Sequence, residues 1–349
     1  EIPLQNLTLD QFVGLITIKN MKSLITGASG YLGQRLAMKL AENGETVHVL
    51  VRSPNAVETL NHPNIKIFFG DILDIESIRN AMMGCATVFH VAALARVRAK
   101  DPNDFYVVNV DGTINMIKVS EEMKVSKFIL TSSTGTIGPS LNLPNTESTP
   151  RWSSFGNDYE ISKYLAEQEL IKANKLGFPG LIVLPSRIFG PGIPSPSSGV
   201  NRVIGGFMKK RLAIIPNNSH YLGNYGYIDD IVQGHILARD KGRIGEKYIL
   251  GGENIPMCQL FEVIKKRIPK WGMILKMPEG TLEYFSWMSQ FFAERFGIEP
   301  KITPDFVKKL NQNSAFDCSK AISQLGYRIT PFEEAIETTI RFLSQSEDR

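Results

Sequence analysis

Three observations predict a doubly wound α/β fold. Short β-branched apolar runs alternate with longer amphipathic stretches over the first 185 residues, a glycine cluster separates the first run from the first amphipathic stretch, and no internal repeat breaks the order. That pattern gives a parallel sheet with helices on both faces, and in such sheets ligands bind at the carboxyl ends of the strands. After Pro185 the chain passes through the Gly, Pro and Ser stretch IFGPGIPSPSSG and becomes shorter in period, less regular and mostly helical. We therefore expect residues 1–20 to be an N-terminal extension with no assigned role, 21–185 to form the sheet domain, and 186–349 to form a smaller, mostly helical C-terminal substrate lobe. Residues 226–250 are expected to return from that lobe to the sheet.

Composition narrows the function. The 349 residues are 43% hydrophobic, 21% charged and 9% aromatic, ordinary usage for a folded chain. Lys and Arg number 39 against 35 Asp and Glu, a net charge of +4 without any basic block, so nucleic acid is not an expected partner. Cys85, Cys258 and Cys318 are scattered, and His48, His62, His90, His220 and His235 form no cluster or H-E-x-x-H, so neither a disulfide framework nor a metal site is expected. No apolar run approaches the ~20 residues that cross a bilayer. The first twenty residues carry neither a basic start nor a small-residue cleavage site, and a cytoplasmic location is expected.

Strands are expected at 23–26, 46–51, 65–69, 87–91, 127–131 and 181–184, with helices beginning near 32, 75, 103 and 158. The first strand runs straight into Gly27-Ala28-Ser29-Gly30-Tyr31-Leu32-Gly33 and then the helical pattern QRLAMKLAENG. Gly27 permits the turn, Gly30 lets backbone approach a pyrophosphate at the helix N-terminus, and Gly33 allows close packing of the helix on the sheet. We read this as a dinucleotide site. The second strand ends in Val51-Arg52-Ser53, where an acidic residue would bind a ribose 2′-hydroxyl. Arg52 instead suits a 2′-phosphate, so NADP(H) is expected, with NAD as the alternative, and Arg35 is placed to join it.

Tyr159 and Lys163 lie four apart in DYEISKYLAEQEL and share one helix face. An adjacent ammonium is expected to lower the phenol pKa from its ordinary ~10, making Tyr159 a usable acid or base. Ser133, at the end of the 127–131 strand, is expected to hydrogen-bond a substrate carbonyl oxygen.

In chain order, these residues resemble the extended short-chain dehydrogenase/reductase family across residues 21–343. TGASGYLG (26–33) resembles its cofactor loop, GDILD (70–74) its adenine contact at Asp71 and Ile72, and HVAA (90–93), with Ala92 and Ala93, the strand beside the cofactor. NVDGT (109–113), TSS (131–133) and YEISK (159–163) resemble the segments that supply the Asn, Ser, Tyr and Lys of its active site. PSRIFGPG (185–192), with Pro185, Ser186, Arg187 and Ile188, resembles the loop on the nicotinamide carboxamide, and YGYIDDIVQGHILA (225–238) the family's paired-Asp segment. The resemblance implies that Lys163 also holds the nicotinamide ribose and that Asn109 positions a water that returns protons through Lys163. It further implies pairing of two chains through first-lobe helices, including the one bearing Tyr159. Arg52, the TSSTGT run and RIGEKYILGGENI (243–255) are similar to the dihydroflavonol-reductase-like and hopanoid-associated epimerase-like branch.

The departures point the same way. Dehydratases of the family need an Asp-Glu pair after the catalytic hydroxyl, where this chain has Thr134 and Gly135; nucleotide-sugar enzymes place an Arg on the diphosphate, where it has Gly223 and Asn224. The expected reaction is NADP(H)-dependent reduction of a ketone or aldehyde. The alternatives are a nucleotide-sugar epimerase with tightly held NAD(P), and a non-catalytic NADP-sensing protein, against which the retained Ser133, Tyr159 and Lys163 argue. Two features bear on the substrate. Arg96, Arg98, Lys100 and Arg187 either attract an acidic or acyl-carrier substrate or are solvated loop charges. Tyr284, Phe285, Trp287, Met288, Phe291, Phe292 and Phe296 share one helical stretch, 281–296, which ordinarily packs as core; the alternatives are a roof over an apolar pocket and a contact with a membrane surface. An apolar, lipid-like or polycyclic small-molecule carbonyl substrate is the preferred expectation.

Overall fold

The computed structural model describes residues 21–347 except 55–56, 97–98, 100, 196, 269–271 and 297–303. The N-terminal extension, Arg98 and Lys100 therefore lie outside the described residues.

Successive strands and helices build the sheet: β1 (Lys22–Thr26), α1 (Tyr31–Glu42), β2 (Thr46–Val51), β3 (Ile65–Phe69), α2 (Ile75–Met82) and β4 (Thr87–His90). There follow α3 (Asn103–Tyr106), a π turn (Val107–Asp111), α4 (Gly112–Glu122), β5 (Lys127–Thr131), α5 (Asp158–Lys175) and β6 (Gly180–Pro185). Local chemistry marks the helix starts. The Asp74 side chain accepts from Glu76 N to cap α2, and Asn157 accepts from Glu160 N to cap α5.

Beyond β6 come β7 (Arg187–Phe189), α6 (Gly199–Lys210), β8 (Leu212–Pro216), β9 (Leu222–Tyr227), α7 (Ile228–Lys241), β10 (Lys247–Leu250), β11 (Glu253–Pro256) and α8 (Met257–Arg267). The chain ends with β12 (Met273–Met277), α9 (Glu279–Phe296), α10 (Pro304–Leu310), α11 (Ser319–Leu325) and α12 (Phe332–Glu347).

Seven parallel strands in the order β10-β6-β5-β4-β1-β2-β3 form a Rossmann-like sheet. Alternation along each strand splits its apolar residues between two cores. Ile25, Val47, Val49 and Val51 pack with α1 and α7 on one face; Leu24, Leu50, Val88 and Phe128 pack with α2 and α4 on the other. β10, from late in the chain, pairs with β6, and α7 lies beside α1. The buried pair Arg239–Glu45, at 2.6 Å, ties α7 to the turn before β2.

A third core holds Phe189, Phe207, Tyr225, Phe261 and Phe332, under the small sheets β11-β9-β7 and β12-β8. The aromatic stretch is not part of it. On α9 it is Leu282, Ser286 and Ala293 that are buried, while Tyr284, Phe285, Trp287, Phe291, Phe292 and Phe296 are exposed, so core packing of this stretch is overturned. Among the described residues, no helix is long and apolar enough to cross a membrane.

Candidate active site

The strand order reverses between β1 and β4, which opens a crevice at their carboxyl ends. Gly27 takes a left-handed φ of +76°, and a Cβ there would stand 2.7 Å from Ala92 N, so only glycine lets the loop lie against the end of β4. Gly33 is needed for a different contact than the sheet: a Cβ on it would lie 2.2 Å from the Gly27 carbonyl oxygen, within the loop itself. Gly30 is the N-cap of α1, and the helix start has neither a side-chain cap nor an acidic residue in its first turn. Its first N–H groups are thus left for an anion, and the positive end of the helix dipole favours one. Ser29 is exposed beside them, Leu32 is buried, and Tyr31 turns inward, its hydroxyl donating to Gly190 O at 2.7 Å, so Tyr31 offers only backbone to a cofactor. These residues fit a dinucleotide.

Around the same crevice, Asp71 accepts from Leu73 N at 3.0 Å and Ile72 packs against Gly112. Ala92 N donates to Thr26 Oγ1, and Ala93 follows it. Pro185 ends β6; Ser186 Oγ is buried without a partner among the described residues; Arg187 reaches Ser314 Oγ at 3.3 Å and stacks over Tyr225; half-buried Ile188 continues β7. Arg52 is exposed at the end of β2. Arg35 does not join it. Its Nε and Nη2 bind Asp229 Oδ1 and Oδ2 at 2.7 and 3.1 Å, because the acidic first turn of α7 lies against α1.

β5 leads to Ser133, and α5 carries Tyr159 and Lys163 one turn apart. Ser133 accepts from Gly135 N at 3.1 Å, and its hydroxyl lies near enough to the Tyr159 phenol to lower the phenol pKa. The preceding Ser132 points elsewhere, donating to Glu167 Oε1 at 2.5 Å. Lys163, one turn after Tyr159, is buried. The expected lowering of the phenol pKa is overturned: burial pushes Tyr159 up to about 12, with the nearby Ser133 hydroxyl only partly offsetting it and Glu160 adding to it. Burial likewise pushes Lys163 down to about 8, against the pull of Glu167. At neutral pH the site holds a protonated phenol and an ammonium, an arrangement suited to giving a proton.

Supporting residues fix these groups, and one of them, Glu167, was not singled out by the sequence. Glu167, completely buried, takes Ser132 and also Lys247 of β10 at 2.5 Å. Its spacing of four from Lys163 was the available signal. Asn109, in the π turn, accepts from Leu94 N at 2.7 Å and donates to Ser162 Oγ at 2.9 Å, while Ser162 donates to Tyr159 O. In this geometry its amide clamps α5 to the loop after β4. His90 joins the same frame: Thr26 Oγ1 lies 2.8 Å from Nδ1, Thr113 Oγ1 lies 3.1 Å from Nε2, and Thr113 donates to Asn109 O. Burial pushes His90 down to about 3, so the imidazole is neutral and structural, and the hydrogen-bond run assigns the proton to Nε2. Glu160 accepts from Arg151 at 2.9 Å and from Lys309 of α10 at 2.7 Å, linking the second lobe to the start of α5.

At the departures from the dehydratase and sugar-enzyme patterns, Gly135 packs against the Glu160 side chain. Asn224 is buried, bonding Gly252 O and Asn254 Oδ1. It supports the turn between β10 and β11.

Comparison with known proteins agrees with this geometry. Residues 23–251 match the model of the NAD dependent epimerase/dehydratase family. Sterol demethylase protein B of Methylococcus capsulatus is 31% identical over 317 residues, 88% of this chain and 93% of that protein. A putative dihydroflavonol 4-reductase of Synechocystis is 29% identical, covering 91% of this chain and 93% of its own. The decarboxylating sterol-4-alpha-carboxylate 3-dehydrogenase of Mus musculus is 28% identical, over 93% and 91% respectively. The glycine loop, the Ser-Tyr-Lys geometry and a match over most of the chain carry one conclusion: this protein belongs to the NAD dependent epimerase/dehydratase family and is an NAD(P)-dependent enzyme of the extended short-chain dehydrogenase/reductase type.

Proposed function

We propose that this enzyme transfers hydride reversibly between NADP(H) and a carbonyl, reducing an apolar, polycyclic ketone to a secondary alcohol. The observation that carries the reading is the convergence of Ser133 on the buried Tyr159 phenol, which is held protonated, with Lys163 one turn away on the same helix. When bound, the cofactor supplies the hydride. The α1 N-terminus holds the pyrophosphate, Arg52 pairs with the 2′-phosphate, and Asp71 and Ile72 flank the adenine. Ser133 orients the carbonyl oxygen, Tyr159 gives its proton to that oxygen as the C–H bond forms, and the Lys163 ammonium stabilises the resulting phenolate. Asn109 keeps the helix carrying both at a fixed distance from the loop after β4.

Three observations support reduction over dehydration or epimerisation. Thr134 and Gly135 supply no carboxylate beside the phenol, Asn224 is already committed to Gly252 and Asn254, and the first of the relatives bears a sterol-related name. A sterol-like ring system is the polycyclic class we favour.

The test is the nicotinamide absorbance. Purified protein is first titrated with NADPH, NADP, NADH and NAD, then given NADPH with a panel of polycyclic and simple ketones. Tighter, exchangeable NADPH and its net oxidation with a ring ketone are expected. Retained, non-exchanging NAD with turnover at constant absorbance would assign the site to an epimerase.

A further inference from the structure

Helix α9 wears its apolar face outward. At about 100° per residue, Tyr284, Phe285, Trp287, Met288, Phe291, Phe292 and Phe296 fill one half of its circumference, opposite the buried Leu282, Ser286 and Ala293 that face the body of the lobe. The six aromatics are 46–69% exposed. They also touch one another, with Trp287 stacked on Phe291 at 5.8 Å, Phe291 edge-on to Phe292, and Phe292 stacked on Phe296 at 6.2 Å. This is a continuous surface rather than scattered side chains, and a patch of that kind marks an interaction site.

The strand leading into α9 extends the theme. In the β8–β12 ribbon, Leu212 is registered with Met273 and Ile214 with Leu275, and all four are exposed. Exposed Lys209 and Lys210, at the end of α6, immediately precede this ribbon, while exposed Lys276 alternates to its other face. Residues 199–216 and 257–310 together contain thirteen Lys and Arg against six Asp and Glu, although the whole chain has a net charge of only +4. The outward aromatics and the excess of positive charge therefore coincide in one lobe.

We propose that α9 and the β8–β12 ribbon dock this enzyme on an anionic lipid surface, with the aromatic face at the headgroup level and the lysines over the charged headgroups. Trp and Tyr favour the membrane–water interface because each joins an apolar ring to a polar group. Basic residues beside an apolar face add attraction to anionic lipid. The lipid contact is independent of the reaction proposed for the crevice.

Flotation of the full chain with vesicles tests the proposal. Vesicles of phosphatidylcholine with an equal part of phosphatidylglycerol should retain the protein, phosphatidylcholine alone should retain far less, and rising salt should release it. Trp287→Ser/Phe291→Ser/Phe292→Ser should lower retention roughly tenfold or more while keeping the parent's cofactor affinity. The single change Trp287→Ser should lower it in the same direction, which covers a triple variant that folds badly. Lys209→Gln/Lys210→Gln should reduce the salt-dependent part. No retention by anionic vesicles at low salt, or equal retention of all variants, overturns the proposal. So does a reversible dimer, seen by sedimentation, that the aromatic changes abolish while vesicle binding is absent. Binding that emerges only when residues 1–20 are removed overturns it too, by giving the face to that segment.

Discussion

The crevice at the ends of β4 and β5 and the outer face of α9 treat their side chains in opposite ways. In the crevice, polar and charged groups are taken out of water and several are given fixed partners: Glu167 holds Ser132 and Lys247, and Asn109 holds Leu94 and Ser162. On α9, apolar rings are left largely in water and touch one another along the helix. The proton transfer proposed for the crevice needs groups whose positions and pKa values are fixed, and burial with paired supports favours both. A surface for an apolar partner needs exposed rings that adapt, and its changes should cost the fold little.

If that contrast is right, substitutions in the crevice should be severe and those on α9 nearly silent for folding. The largest effect is expected from Tyr159→Phe, which removes the acid and should cut turnover by roughly 10²–10⁴-fold with cofactor affinity unchanged, as steady-state absorbance and nucleotide titration will show. Unchanged turnover would remove Tyr159 from the reaction. Next comes Glu167→Gln, which leaves Lys247 and Ser132 without their carboxylate and should cost about 3 kcal/mol in denaturant unfolding. A loss no greater than that of an exposed glutamate such as Glu283 would break the contrast.

Lys163→Met sharpens the comparison through pH. The folded-state pKa of about 8 lies below the 10.5 of a free lysine, so burying the ammonium costs stability below pH 8, and the cost disappears as pH rises from 8 to 10.5. The variant should be more stable than the parent at pH 7, by up to roughly 3 kcal/mol, with the advantage gone near pH 10.5 and turnover lost throughout. Equal stability at pH 7 would mean the ammonium is better solvated than its burial indicates. A smaller change is expected from Arg52→Ser, which should weaken NADPH roughly tenfold and leave NADH unaffected in calorimetry. The smallest belongs to Trp287→Ser, which should shift stability by less than about 0.5 kcal/mol, since the ring is exposed.

Much of this molecule was legible in advance. Strand and helix order through β6 followed from periodicity, because alternating residues must fill two cores, one on each face of a parallel sheet. The glycine loop was legible because Gly27 needs its left-handed φ whatever surrounds it, and the Tyr159–Lys163 spacing because helix geometry puts them one turn apart. Even Glu167 stood within reach of the same rule.

What only the tertiary structure decided concerns partners distant in sequence and the balance of burial against charge. Arg35 is captured by Asp229, a partner 194 residues away, and so does not join Arg52 at the end of β2. Ser133 rather than Ser132 meets Tyr159, since successive residues at the end of β5 point to opposite sides. The phenol rises instead of falling because desolvation outweighs the neighbouring bonds, and α9 turns its rings outward because Leu282, Ser286 and Ala293 occupy its inner face. A sequence states the period and spacing of its residues; whether a given face meets protein or solvent is settled only when the elements pack, because both desolvation and pairing depend on what lies opposite.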